Sequence, residues 1–267
     1  MKEFENTVPY NSCKAAAFYS VNEGRYLYSR NINNSITLGS VTKLLTADLA
    51  LKFLSPEKII TVGTERELLP PHPSLCIIYQ GHRLSMSDLL KGLLLRSGCD
   101  AAYTIAAAAA RAAFPSESLS SSQAIARFVE MMNEHASSLG MTSSRFANPD
   151  GYDSPEYYTT VADTVKLLTK VVSVPLITAT ASISECDVIF DSGETITWNN
   201  TNLLLDKEST YYCPDAFGLK TGSTDNAGFC LAAAFKRNKK TYLSVVGGCE
   251  KKADSYRLTL KLLSELT

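Results

Sequence analysis

Histidine is scarce in this sequence, and neither sign of charge is in excess. With 3 His residues and no Gly-x-Ser-x-Gly segment, the chain offers little to a serine hydrolase that uses a histidine base. Its 26 basic and 27 acidic side chains give a net charge of -1, without the basic excess that contact with nucleic-acid phosphates requires. We therefore expect no nucleic-acid partner and, if a serine is the nucleophile, a base other than histidine.

Long apolar runs and paired cysteines are absent as well. The most apolar segment, residues 101–110, is shorter than the roughly 20 residues that span a bilayer, and Arg111 follows it directly. The 7 cysteines never form a Cys-x-x-Cys pair, which disfavours structural zinc and a dense disulfide framework. The sequence therefore predicts no membrane span, no metal site and no cofactor.

The start of the chain has no apolar core of the kind that a secretory signal carries. Glu3 and Glu5 fall among the first residues, where such a core would begin. The residues alone leave two interpretations open: either the protein is cytosolic, or a signal was removed before the chain begins.

Apolar patterns place strands near both ends of the chain and helices between them. Alternation predicts strands at residues 15–20, 25–29, 188–190, 195–198, 218–224, 229–235 and 242–246. Helical spacing predicts helices at residues 40–54, 87–96, 100–113, 121–139, 160–172 and 253–266.

This order of elements is typical of an α+β protein. Since strands lie at both ends of the chain, we expect the first strands to pair with the last ones in an antiparallel sheet. The helices between them would form the layer that covers the apolar face of the sheet. Residues 1–267 would form one domain, with a sheet lobe at about 1–60 and 187–267 and a mainly helical lobe at about 61–186.

The three histidines are predicted to be solvated surface residues. His72 lies in a proline-rich loop, and His135 lies on the polar side of a predicted helix. His82 is given the same interpretation.

Lysine can replace histidine as the base of a serine nucleophile when burial or a second cation lowers its pKa. Ser40-x-x-Lys43 offers this pairing, because residues i and i+3 share a helix face and a helix is predicted to begin at Ser40. The helix N-terminus would stabilise negative charge at Ser40. The pattern alone is weak, since chance produces it about once or twice in such a chain. Ser55-x-x-Lys58 is a second copy, interpreted as a loop with a capping serine.

Lys220-Thr221-Gly222 strengthens this interpretation. Gly222 lets a substrate backbone approach the predicted strand, and Lys220 supplies a second cation that would lower the pKa of Lys43 and attract a carboxylate. A strand with an exposed lysine is the alternative interpretation.

The segment from Ser97 to Asp100 joins two predicted helices. By itself it is explained equally well as a glycine turn in which Asp100 is the N-cap of the next helix.

In this order the segments resemble the serine D-alanyl-D-alanine carboxypeptidases of peptidase family S11, the low-molecular-weight penicillin-binding proteins. Ser-x-x-Lys, a Ser-x-Asn-type element and Lys-Thr-Gly together are a signature of penicillin-binding proteins. The likeness covers nearly the whole chain and rests on residues 39–47, 97–102, 148–153, 158–160, 200–204 and 218–224. The resemblance implies a β-lactamase/DD-transpeptidase-like fold, with an antiparallel five-stranded sheet flanked by helices and a mainly helical lobe.

Four residues would then have catalytic roles. Ser40 would attack the carbonyl between two D-alanines and form an acyl-enzyme, while Lys43 takes its proton. Ser97 and Lys220 would relay a proton to the leaving D-alanine. The resemblance implies that the substrate is a peptidoglycan stem peptide ending in D-Ala-D-Ala, and that β-lactam antibiotics acylate the same serine.

The implied substrate-binding residues are Cys99, Thr221, Gly222, Ser223 and Thr224. The backbone N–H groups of Ser40 and Ser223 would form the oxyanion hole. Lys220, Thr221 and Thr224 would hold the terminal carboxylate of the substrate.

Cys99 stands where the family usually has Asn. An Asn amide donates to the substrate carbonyl and accepts from Lys43, whereas a thiol is weak in both roles. We predict that Cys99 permits acylation but changes whether water or an amine resolves the acyl-enzyme, so that transpeptidation competes with hydrolysis. A small buried thiol without a role is the alternative.

Related functions differ from carboxypeptidase activity in the residues that they need. A class A β-lactamase is disfavoured, because no Glu is followed four residues later by Asn. A DD-transpeptidase, or a catalytically silent penicillin-binding module that senses the cell wall, remains an alternative. Relatives act outside the cytoplasmic membrane, so the resemblance implies an extracytoplasmic protein of the bacterial cell envelope.

Overall fold

The computed structural model describes residues 9–267. The first eight residues of the predicted sheet lobe lie outside this range, as does the segment on which the expectation about a secretory signal rests.

The described residues form nine strands and seven α-helices. The strands are β1 (Ala15–Ser20), β2 (Arg25–Arg30), β3 (Ile59–Thr61), β4 (Arg83–Ser85), β5 (Glu185–Ile189), β6 (Thr195–Asn199), β7 (Ala216–Thr224), β8 (Gly228–Arg237) and β9 (Lys240–Cys249). The helices are α1 (Lys43–Ala50), α2 (Met86–Leu94), α3 (Cys99–Ala113), α4 (Ser121–Ser138), α5 (Val161–Val171), α6 (Pro175–Ala181) and α7 (Lys252–Leu266).

The main sheet has five strands in the order β2-β1-β9-β8-β7, and every pairing is antiparallel. Side chains alternate between its faces: Ala15 and Ala17 join the core that contains α1 and α5, whereas Ala16 and Phe18 join the core under α7. Both faces are covered, so apolar residues occupy nearly every position of β1. The expected antiparallel five-stranded α+β architecture is confirmed.

Three features differ from the predicted elements. Strands β5 and β6 pair only with each other and not with the main sheet, and β3 and β4 form a second short pair that the patterns did not predict. Helix α6 was also missed, because its seven residues are too few to show a helical period; Pro175 at its first turn begins it.

The predicted helix from residue 40 to 54 is too long at both ends. Residues Gly39–Thr42 form a 3-10 turn, and α1 occupies only Lys43–Ala50. In a 3-10 turn residues i and i+3 lie directly above one another, so Ser40 and Lys43 still face each other.

The prediction for His135 is wrong. Its side chain is buried, and Nε2 lies 2.7 Å from Asp48 Oδ2 on α1. Lys52 Nζ donates to Nδ1 across 2.9 Å. The partners come from α1 and the turn that follows it, so the local polar pattern of α4 did not reveal the burial. His72 is exposed, as expected, whereas His82 is partly buried.

A disulfide joins Cys13, just before β1, to Cys249 at the end of β9. The two residues are 236 positions apart, and the pairing of β1 with β9 brings them together. The remaining five cysteines are free thiols.

Within the described residues, no single helix is long and apolar enough to cross a membrane. Helices α5 and α6 meet the length and hydropathy requirements only as a pair, bent by 105° at the break between them.

Candidate active site

The centre of the site is the pair Ser40 and Lys43. Ser40 is partly exposed, whereas Lys43 is fully buried at the start of α1. Lys43 Nζ donates a 2.7 Å hydrogen bond to Ser40 Oγ. A hydroxyl held this closely by a buried amine is arranged for proton transfer.

Two further groups hold the Lys43 ammonium. It lies 3.5 Å from Cys99 Sγ and 3.1 Å from the Asp150 carbonyl oxygen. The Asp150 side chain is buried as well, and its Oδ2 atom has no hydrogen-bond partner. No role was predicted for Asp150, although residues 148–153 are part of the family resemblance.

The loop between α2 and α3 supplies Ser97 and Cys99, both nearly buried. Ser97 adopts φ 60°, a left-handed conformation that is costly for a residue with a side chain and is often found at functional sites. Ser74, which sequence analysis missed, donates from Oγ to the Ser97 carbonyl across 2.6 Å and lies 3.5 Å from Cys99 Sγ. These contacts fix the loop against the site.

Asp100 is not the N-cap of α3, contrary to the alternative considered above. Gly98 occupies the N-cap position, and Asp100 lies within the helix with its carboxylate fully buried. That carboxylate accepts from the backbone N–H groups of Cys76 and Ile78 across 3.0 and 3.1 Å. It therefore holds the segment after Ser74 against the start of α3.

Lys220 lies on β7, the edge strand of the sheet, and is fully buried. Burial, together with the nearby Lys43 ammonium, holds the pKa of Lys220 well below its usual range. Its Nζ donates to the Thr221 carbonyl across 3.0 Å, and no hydrogen bond to Ser97 is present among the described residues. The predicted relay through Ser97 therefore stays a prediction.

The Cys99 thiol lies beside the Lys43 ammonium but is kept in its neutral form. Burial raises the pKa of Cys99, and the Lys43 ammonium opposes this only in part. A neutral thiol can donate weakly and accept weakly, so Cys99 occupies the space of a polar side chain without a strong hydrogen bond of its own.

Gly222 brings β7 against the 3-10 turn. A Cβ atom at this position would collide with the Leu38 carbonyl oxygen and lie 3.3 Å from Ser40 N. On the facing side, a Cβ at Gly39 would lie 3.1 Å from Ser223 N. The backbone N–H groups of Ser40 and Ser223 are therefore close neighbours, because glycine occupies both contact positions.

Two threonine hydroxyl groups on β7, those of Thr221 and Thr224, are hydrogen-bonded to residues outside the strand. Thr201 Oγ1 and Thr221 Oγ1 are 2.8 Å apart. Thr224 Oγ1 donates to Asp153 Oδ1 across 2.6 Å. No group of three or more His, Cys, Asp or Glu side chains that could hold a metal ion occurs in the described part of the chain.

Comparison with known proteins identifies the family. Residues 2–250 match peptidase family S11, D-alanyl-D-alanine carboxypeptidase. The chain belongs to this family.

Two relatives in the S11 family differ in how much of their length this chain covers. The D-alanyl-D-alanine carboxypeptidase of Streptomyces sp. (strain K15) is 31% identical over 255 residues, which is 87% of this chain and 80% of the relative. The D-alanyl-D-alanine carboxypeptidase DacF of Bacillus subtilis (strain 168) is 26% identical, over 95% of this chain but only 61% of its own length. The chain thus spans less than two thirds of some of its relatives.

Solved structures have the same fold. The Streptomyces K15 DD-transpeptidase superposes with a TM-score of 0.86 over 97% of this chain and 98% of that chain, at 24% identity. Penicillin-binding protein D2 of Listeria monocytogenes, solved in its ampicillin-bound form, gives a TM-score of 0.77 at 27% identity, over 96% of this chain and 97% of that one. The predicted family, fold class and enzyme class, a serine-type DD-carboxypeptidase, are confirmed.

Proposed function

We propose that this S11 domain removes the terminal D-alanine from peptidoglycan stem peptides through an acyl-enzyme on Ser40. The observation that carries the proposal is the 2.7 Å hydrogen bond between buried Lys43 Nζ and Ser40 Oγ. Ser40 Oγ attacks the carbonyl carbon between the two D-alanines, and Lys43 Nζ accepts the hydroxyl proton.

The oxyanion of the tetrahedral intermediate is bound by the N–H groups of Ser40 and Ser223. Their proximity across Gly39 and Gly222 supports this role. When the intermediate collapses, the carbon–nitrogen bond breaks and the leaving amine takes a proton through Ser97 and Lys220. Water then attacks the ester carbonyl, which releases the shortened peptide and restores the Ser40 hydroxyl.

Burial and, next, the charge on Lys43 hold the pKa of Lys220 well below its usual range. A neutral Lys220 amine can take a proton from the Lys43 ammonium, which leaves Lys43 free to accept the Ser40 proton. The proton on Lys220 is then available to the leaving D-alanine. Lys220 and Thr221 also bind the terminal carboxylate of the substrate.

We infer that β-lactam antibiotics acylate Ser40 and that the protein works outside the cytoplasm, in the bacterial cell envelope. The ampicillin-bound Listeria relative supports the first inference. The Cys13–Cys249 disulfide supports the second, since disulfides persist in oxidising compartments.

A second activity, DD-transpeptidation, is favoured by the position of Cys99. The thiol lies 3.5 Å from Lys43 Nζ, where the family usually places an amide. A weak donor there orders an attacking water less firmly, and an amine acceptor competes better for the acyl-enzyme.

Intact-mass spectrometry with a penicillin tests the nucleophile. We expect one adduct on the wild type, none on Ser40→Ala, and an undiminished adduct on Ser55→Ala, which removes the serine of the second Ser-x-x-Lys copy. D-Alanine release from a peptide ending in Lys-D-Ala-D-Ala then tests turnover. An adduct that survives in Ser40→Ala would disprove the assignment, and an adduct without release would identify the transpeptidase or the silent module.

A further inference from the structure

A cavity of about 270 Å³ lies beyond the catalytic residues, between the start of β1 and the turn after β7. Its polar walls come from Lys14, Ser35, Thr37, Tyr158 and Asn226. None of the described residues that line it is acidic. The volume is close to the lower end of the range for ligand pockets, so the cavity fits one side chain rather than a whole peptide.

Lys14 is the charged group of this cavity. Its side chain is exposed, and its ammonium has no hydrogen-bond or ion-pair partner within the described residues. Lysine ammonium groups attract carboxylates, and four lining residues with hydroxyl groups and one with an amide can add donors. The cavity is therefore suited to an anion.

The position of Lys14 is fixed by its neighbours on both strands. The Cys13–Cys249 disulfide joins the residue before Lys14 to the residue after Gly248. Gly248 has φ 73°, and a Cβ there would lie 2.6 Å from Lys14 Cγ, so the missing side chain provides the space in which the lysine stem lies. The disulfide and the glycine therefore place the backbone of Lys14 and the first part of its side chain beside the cavity.

The cavity lies within reach of the proposed reaction centre. Thr37 is three residues before Ser40, and Asn226 is three residues after Ser223. Three residues of chain span at most about 11 Å. Asp153 adds a rigid link, because its carboxylate accepts from Thr224 Oγ1 and from Asn226 N across 2.6 and 3.0 Å.

The direction of the substrate follows from the proposed function, on which this inference rests. Lys220 and Thr221 hold the terminal carboxylate, so the leaving D-alanine lies toward the N-terminal part of β7. The remaining peptide then extends along this edge strand toward Thr224 and the turn that contains Asn226. The residue before D-Ala-D-Ala lies one peptide unit, about 3.5 Å, beyond the D-alanine that Ser40 attacks. A long side chain on that residue can enter the cavity.

We propose that the Lys14 cavity binds a side-chain carboxylate on the residue that precedes D-Ala-D-Ala in the substrate. A diamino acid whose side chain ends in both an ammonium and a carboxylate, such as diaminopimelate, is preferred over lysine, because only the former offers Lys14 a carboxylate and its side chain has no net positive charge. The site selects among stem peptides by charge, and takes no part in the chemical step.

Paired peptides that differ only at this residue test the proposal. We expect kcat/KM for D-alanine release to be about three-fold higher for the diaminopimelate peptide than for the lysine peptide, the size of a partly exposed ion pair. Lys14→Met should bring the ratio close to one, and Lys14→Arg should keep it. Lys239→Met is the matched control: it removes the same charge at the β8–β9 turn, about 27 Å along β9 from Gly248. Its ratio should equal that of the wild type.

Binding to Ser40→Ala, measured by calorimetry, separates this proposal from the proposed function. We expect the same preference in dissociation constants, and its loss in the Ser40→Ala/Lys14→Met double variant. If the wild type forms no penicillin adduct and releases no D-alanine, the proposed function fails while the binding preference is still measured. Equal dissociation constants for the two peptides, or no binding of either, would overturn the Lys14 proposal even in an active enzyme.

Discussion

Lys43 Nζ and Ser40 Oγ are 2.7 Å apart, although the two residues belong to different elements. Ser40 lies in a 3-10 turn and Lys43 is the first residue of α1. The eclipsed geometry of the turn aligns them, and burial of the amine keeps water from replacing the contact.

Replacement of Lys43 should remove the base and leave the nucleophile in place. We expect Lys43→Met to lower the rate constant for penicillin acylation by about 10²- to 10⁴-fold, as for other general bases. Stopped-flow or intact-mass kinetics measure this rate. Lys58→Met, in the second Ser-x-x-Lys copy, should acylate at the wild-type rate, and equal rates for the two variants would contradict the assignment.

Lys220 is expected to lower the free energy of unfolding, although D-alanine release requires it. Lys220→Met should raise the free energy of unfolding at pH 7 by about 1–3 kcal/mol, because folding no longer deprives a lysine of its hydration or its proton, while D-alanine release falls. A lowered folded-state pKa means that the unfolded chain binds more protons between that pKa and the ordinary 10.5. The wild type therefore gains stability as pH rises through this window.

Urea unfolding at pH 7 and pH 10 measures the change. The advantage of Lys220→Met should shrink at the higher pH, whereas Lys239→Met, at an exposed turn, should show no such trend. A variant that is less stable at pH 7, or whose advantage grows with pH, would show that the buried lysine is not destabilising.

Cys99→Asn should shift the fate of the acyl-enzyme toward hydrolysis. An amide can accept from Lys43 and donate to a carbonyl or water, which the thiol does only weakly. We expect the ratio of transfer to hydrolysis, measured with an added amine acceptor, to fall several-fold. Cys186→Ser, which replaces a free thiol on β5, is the control. An unchanged ratio in Cys99→Asn would disprove the role of the thiol.

His135 and Asp48 join α4 to the helix that begins with Lys43. Loss of one partner leaves a buried polar group unpaired, so His135→Leu should lower the free energy of unfolding by about 3 kcal/mol. Urea unfolding checks this value. In an Asp48→Leu/His135→Leu double variant no unpaired group remains, and the loss should be smaller than the sum of the single losses. Additive losses would show that the pair is not coupled.

The Cys13–Cys249 disulfide should stabilise the pairing of β1 with β9. Its removal in Cys13→Ser/Cys249→Ser is expected to cost about 2–5 kcal/mol of unfolding free energy, since it closes a loop of most of the chain. Dithiothreitol should have the same effect on the wild type and none on the variant. If the reduced wild type is as stable as the oxidised protein, the disulfide contributes nothing.

Local signals in the sequence were sufficient for most helices and for the strands of the main sheet. Helix α4 was predicted to within a residue, because its apolar period is regular and Gly140 follows it as a stop. The 3-10 turn at Ser40 was interpreted as α-helix, since the two share the i to i+3 spacing from which the motif was recognised. The hairpin of β5 and β6 was predicted as strands, but its separation from the main sheet is a matter of tertiary packing.

Residue chemistry in the sequence by itself predicted the nucleophile, its base and the second lysine, and it indicated the family that the comparisons confirm. These depend on short segments whose order along the chain is informative without coordinates. Only the tertiary structure decided what surrounds them: the Asp150 carbonyl on Lys43, Ser74 on the Ser97 loop, the buried His135–Asp48 pair, and the cavity beside Lys14. Each of these contacts joins residues far apart in the chain, and their partners are set by burial of a common core, which local spacing does not encode.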